Sequence, residues 1–149
     1  VVYYSWRLDN TNSAAVVERM DLLARQLGRD VVIVGVLTGV GTESNSRRNE
    51  SQIEPAELLR RTMRFRTTHG ITHPMLVDPG GSMFQVRRSS RNEKGASVAM
   101  VVSSDSVLRW GGSVNDPAFR AALSRVIDID PGVQARRAAE QAYIKAGGG

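Results

Sequence analysis

The sequence predicts an α/β fold, a mixed central sheet with helices on both faces. Three observations point there. Val31–Leu37 is an unbroken, mostly β-branched run, the pattern of a central strand covered on both sides. A helix-length amphipathic stretch separates it from an N-terminal strand pattern, which makes a parallel β–α–β unit. Further on, Ser97–Val102 and Val107–Trp110 flank Ser103-Ser104-Asp105-Ser106, an antiparallel hairpin.

Each element has its own signal. Val1 to Trp6 is β-branched and aromatic, a strand. Asn10, Asn12 and Ser13 offer N-cap oxygens ahead of a helix from Ala14 to Leu27. Its apolar stripe is Val16, Val17, Met20, Leu23, Ala24 and Leu27, and Gly28 closes it. Thr38 to Gln52 reads as a polar loop holding Arg47 and Arg48. The next helix has Pro55 in its first turn and Glu54 and Glu57 at the positive end of its dipole. Leu58, Leu59, Thr62, Met63 and Phe65 are expected on its buried side, with arginines on the rest, and Gly70 ends it. Ile71–Val77 is predicted as a strand stopped by Asp78-Pro79-Gly80-Gly81. Ser82 to Val86 reads as one helical turn before a basic loop through Gly95. Asp116-Pro117 opens a helix with Phe119, Ala122, Leu123, Val126 and Ile127 inward; Asp130-Pro131 opens an Ala-rich helix reaching Ala146. The expected division is a domain over 1–129 and a helical extension over 130–149.

Composition narrows the chemistry. None of the 149 residues is cysteine, so the chain has no disulfide framework, thiolate metal site, Fe–S cluster or cysteine nucleophile. Its two histidines, His69 and His73, leave little for a zinc site, and we expect neither metal nor cofactor. His73 reads as structural, and His69 as a partner for the free carbonyls at its helix end. Trp6 and Trp110 read as packing residues, with an interface role as the alternative. No apolar run approaches the roughly 20 residues of a membrane span. The chain opens inside a strand pattern without an initiator Met, from which we expect a processed or trimmed product.

Twenty Lys+Arg against fifteen Asp+Glu give a net charge of +5. Arginines gather as Arg47, Arg48, Arg60, Arg61, Arg64 and Arg66, then as Arg87, Arg88 and Arg91 with Lys94. Such clusters suit an acidic protein, a nucleic acid or an anionic surface. Aromatic residues do not interleave with them, which disfavours a single-strand stacking platform.

Trp6 ahead of a loop and helix, the segment Gly70–Gly81, and the hairpin ending in Trp110-Gly111-Gly112 are the residues of a family likeness. In that order the chain resembles the thioredoxin fold, most of all its TlpA-type or redoxin branch, over Val1–Ile127. The resemblance implies a three-layer α/β/α sandwich with an extra C-terminal helix. It also implies a Cys-x-x-Cys at the first helix, and counting back from Gly28 puts that motif on Asn10-Thr11-Asn12-Ser13. Asn10 and Ser13 therefore stand where the two thiols would be, and Ser97 where the family carries a cis-proline. Thiol–disulfide exchange needs a thiolate at the helix N-terminus and a second thiol to resolve the mixed disulfide. The redox site looks dismantled.

From this we expect a redox-inactive, non-catalytic domain that binds protein, as an accessory or structural subunit of a larger, membrane-associated assembly. Its partner surface would be acidic and would meet Arg47, Arg48, Arg60, Arg61, Arg64, Arg87, Arg88 and Arg91. Tyr143, on a small-residue face of the last helix, would dock beside them or fold back. Two alternatives stay open: a nucleic-acid or anionic-surface binder, and a cysteine-independent ligand site where Asn10 to Ser13 offer an anion pocket rather than a plain cap. By resemblance the location is the periplasm or the extracytoplasmic membrane face, with a cytoplasmic or organellar home open.

Overall fold

The strand β1 (Val2–Leu8) organises the chain because its two faces differ. Val2, Tyr4, Trp6 and Leu8 are buried on one side, and Tyr3, Ser5 and Arg7 are half-buried on the other. In this computed structural model, which describes residues 1–41, 53–87 and 97–148, β1 pairs in parallel with β2 (Ile33–Val40) and antiparallel with β4 (Val98–Val102). The short β3 (Met75–Val77) runs parallel to β2, and β5 (Leu108–Ser113) antiparallel to β4. The sheet order is β3-β2-β1-β4-β5, a mixed sheet with β1 at its centre. β2 is buried along seven of its eight residues, as its β-branched run predicts.

Helices α1 (Thr11–Leu27), α2 (Pro55–His69) and α3 (Ala118–Ile129) cover one face. Val16, Val17, Met20 and Leu23 of α1, Leu58 of α2, and Phe119, Leu123, Val126 and Ile127 of α3 form one core with the inward side chains of β1. Each such aliphatic side chain contributes roughly 1.5–3 kcal/mol on burial. The opposite face carries a thinner layer, the 3-10 helix Ser82–Arg87, whose Phe84 packs on Val34, Val36, Val98 and Met100. Helix α4 (Pro131–Lys145) begins at Asp130, whose Oδ1 accepts from the N–H groups of Gly132 (2.8 Å) and Val133 (3.1 Å). Val133 joins the core, while Arg136 and Arg137 pair with Asp30, and Glu140 with Arg29. The last helix thus folds back on the turn after α1. Among the described residues no helix is long and apolar enough to cross a membrane.

The strand read over Val31–Leu37 is shifted, since β2 starts at Ile33 and runs through Val40 into the stretch read as loop. Three further differences each have a local reason. α1 starts at Thr11, not Ala14, because Asn10 takes the cap. Ile71–Pro74 is not strand: the Thr72 and His73 N–H groups go to the Asp21 carboxylate, and Pro74 has no N–H, so no ladder donor remains there. Leu59 and Met63 are exposed, because α2 buries only Leu58, Thr62 and part of Phe65. Gly70 ends α2 as predicted; its φ of 63° is a left-handed conformation that glycine adopts without strain.

Candidate functional site

The position where the resemblance places a dithiol is the first turn of α1. Asn10 is extended (φ −133°, ψ 112°), and its Oδ1 accepts the Ser13 N–H at 3.0 Å. Ser13 is buried, and its Oγ accepts the Arg7 N–H at 3.1 Å, tying the helix to the end of β1. The Asn10 amide also donates to the Gly41 carbonyl at 3.4 Å. One side chain therefore caps the helix and the other fastens it to the sheet. A serine hydroxyl needs an adjacent base to become a nucleophile, and among the described residues no imidazole or carboxylate is hydrogen-bonded to Ser13 Oγ. Ser97 precedes β4, where its carbonyl accepts the Val114 N–H at 3.0 Å and the next residue, Val98, donates to Ser5 Oγ at 2.9 Å. The register sets Ser97 beside the C-terminal half of β1, and no hydrogen bond among the described residues joins it to Asn10 or Ser13.

Beneath that turn lies a network that the sequence reading missed. Asp21, in the third turn of α1, is buried. Its Oδ1 accepts from Thr72 N–H (2.8 Å), Thr72 Oγ1 (3.0 Å), His73 N–H (3.1 Å) and His73 Nδ1 (2.7 Å). Its Oδ2 pairs with Arg25 at 3.0 Å. An acceptor so surrounded by donors is the carboxylate, so His73 carries its proton on Nδ1 and Nε2 accepts the Tyr4 hydroxyl at 2.6 Å. Burial pushes the Asp21 pKa up, but the hydrogen bonds from His73 and Thr72 together outweigh it and hold the carboxyl at about 2. Burial lowers the His73 pKa against the pull of Asp21, and burial, then the Asp21 charge, raises that of Tyr4. At neutral pH the order is phenol, neutral imidazole, carboxylate.

That order has the outline of a hydroxyl–imidazole–carboxylate relay, but the hydroxyl has no access to solvent. Tyr4 is 0 % exposed. Its ring lies over Gly35, where a Cβ would come within 2.7 Å of the phenol oxygen. The network fastens β1, α1 and the Ile71–Pro74 segment together. Beside it lies an open depression lined by Ala24, Arg25, Val32, Thr72, His73 and Pro74. A signal for it was present: Asp21 falls four residues after Val17 and three before Ala24, on the helix's apolar stripe, where a carboxylate must find buried donors.

The arginines divide. Arg60 and Arg61 both pair with Glu57, Arg61 at 3.3 Å. Arg64 is exposed and has no carboxylate partner among the described residues. Arg66 donates to the Thr72 carbonyl at 3.1 Å. Arg47, Arg48, Arg88, Arg91 and Lys94 lie outside the described residues, as does the side chain of Arg87. Tyr143 is exposed near the end of α4. His69 does not bond its helix's carbonyls; its Nδ1 meets Glu18 Oε1 at 3.0 Å and its ring stacks on Phe65. Trp6 is fully buried against Phe65, with no hydrogen-bond partner for its Nε1 among the described residues, and Trp110 packs half-buried on Phe119. Among the described residues no group of three or more His, Cys, Asp or Glu could hold a metal ion.

No family model matches the chain, and no curated protein matches it. Among solved structures it is similar to the solution structure of a thioredoxin-like protein in the oxidised form. The TM-score is 0.58 at 13 % identity, over 87 % of this chain and 79 % of that one. The fold is thioredoxin-like, an α/β sandwich with an added C-terminal helix.

Proposed function

We propose that this chain is a redox-inactive, non-catalytic thioredoxin-like domain of the TlpA or redoxin kind, binding an acidic protein partner as an accessory or structural subunit. Asn10 and Ser13 carry this reading. At the helix terminus where the family would hold two thiols, one side chain caps the helix and the other is buried against the Arg7 backbone. With no cysteine in 149 residues, the chain supplies no sulfur for exchange. The other polar cluster, Tyr4–His73–Asp21, is sealed and serves the scaffold. The chain carries a net charge of +5, and ion pairs to an acidic partner would steer and orient docking. The reading needs neither metal nor cofactor, and its family branch also favours the extracytoplasmic membrane face.

Two measurements test it. In an insulin-reduction assay with dithiothreitol the chain gives no turnover above background, and measurable turnover ends the redox-inactive reading. Gentle native purification followed by mass spectrometry recovers a stoichiometric protein partner. A lone monomer, or co-eluting nucleic acid released steeply by salt, defeats the subunit reading.

A further inference from the structure

Among the described residues the outer face of α2 stands exposed. Leu58, Thr62 and Phe65 turn to the core, and at about 100° per residue the opposite side presents Ala56, Leu59, Arg60, Met63, Arg64 and Thr67. Leu59 is 49 % exposed and Met63 60 %. One turn apart, they form an apolar strip, and Arg60 and Arg64 form a cationic strip beside it. Within the helix four arginines face one acid, Glu57, which Arg60 and Arg61 already share. Arginines one turn apart repel, and two large apolar side chains stand in water. A partner that is acidic along one strip and apolar along the next relieves both.

We infer that this face docks an amphipathic helix of a partner protein, with two aliphatic side chains at i, i+3 or i, i+4 covering Leu59 and Met63, and Asp or Glu alongside meeting Arg60 and Arg64. This rests on the protein-binding reading above and assigns the surface that does the binding. Met63 suits the role, since an unbranched thioether adapts to the side chains laid against it. Nucleic acid would engage the arginines but gain little from covering Leu59 and Met63. A bilayer surface favours a broad apolar face with aromatic residues, and this face has two apolar side chains of any size and no aromatic one.

A displayed library of random peptides in a helix-stabilising frame, selected on the whole chain, tests the assignment. The selected peptides carry the apolar pair flanked by Asp or Glu. They lose at least about tenfold in affinity for Arg64→Glu and for the double variant L59S/M63S. Exchanging the acidic residues of a peptide for Lys restores its binding to Arg64→Glu. Thermal unfolding of the variants stays with the parent's, since all three positions are exposed. Peptides that bind both variants as tightly as the parent overturn the surface assignment and leave the protein-binding reading standing. A selection that enriches no peptide overturns the inference, and binding of duplex DNA or phosphatidylserine vesicles in its place overturns the protein-binding reading as well.

Discussion

Helix α1 holds polar side chains at two levels, and the levels are built differently. At its first turn Asn10 and Ser13 bond mostly to nearby backbone groups, Ser13 N–H and Arg7 N–H, with a single longer reach from the Asn10 amide to the Gly41 carbonyl at 3.4 Å. At its third turn Asp21 gathers four hydrogen bonds from residues more than fifty positions away and a salt bridge from Arg25. The upper level, where the fold's relatives would place their chemistry, is a local cap that other small polar residues could provide. The lower level is a long-range tie that cannot be altered one residue at a time. We expect polarity to matter most to stability where it fastens distant elements.

Removing the lower tie should therefore cost most. Asp21→Ala leaves the Thr72 and His73 N–H groups and the His73 ring without their acceptor, and we expect a loss of about 3–5 kcal/mol in urea denaturation. A loss no larger than that of Asn10→Ala would refute the contrast between the levels. Acid provides the next effect. The Asp21 carboxyl titrates near 2 in the folded chain against an ordinary 3.8, so its contribution is present above 3.8 and is lost as the pH falls toward 2. That is about 2 kcal/mol. His73 acts higher: its folded pKa lies below 6.5, so the unfolded chain takes up the proton first and stability declines as the pH drops below 6.5. Denaturation midpoints measured from pH 8 to 2 should fall in both windows, and Asp21→Asn should flatten the lower one. Gly35→Ala tests the same tie from the sheet side. The new Cβ would meet the Tyr4 hydroxyl, and a cost of roughly 1–3 kcal/mol is expected from calorimetry.

Much of the architecture could be read from local pattern, because local pattern causes it. The run Val31–Leu37 marked the doubly covered strand, the stripe from Val16 to Leu27 marked α1, and Asp130-Pro131 marked the start of α4. The thioredoxin resemblance, read from Trp6, Gly70–Gly81 and the hairpin, agrees with the structural likeness found at 13 % identity. What stayed hidden depends on distant residues. β3 is three residues long because a carboxylate from α1 takes the donors ahead of it, and nothing within Ile71–Val77 announces that. Leu59 and Met63 fit an inward helical stripe in sequence, but α2 turns only Leu58, Thr62 and part of Phe65 to the core, where Phe65 packs on Trp6 of β1. That Asn10 and Ser13 stand at the thiol positions was legible by resemblance alone; an N-cap among Asn10, Asn12 and Ser13 was legible from the residues, and the structure shows that Asn10 is the one that caps.

The smaller effects sharpen the contrast between local and long-range polarity. Asn10→Ala removes the side-chain acceptor for Ser13 N–H, and such caps are worth about 1 kcal/mol, so a comparable loss is expected in urea. Asn10→Asp should recover it, because a carboxylate at the N-cap accepts the same bond and suits the positive end of the helix dipole. Smallest of all should be the outer face of α2. Met63→Ser exchanges an exposed side chain for a slightly poorer helix former, and its stability should stay within about 0.5 kcal/mol of the parent. A loss of several kcal/mol at Met63 would mean that this side chain is packed against its own chain, and the apolar strip beside Arg60 and Arg64 would then belong to the core rather than to a partner.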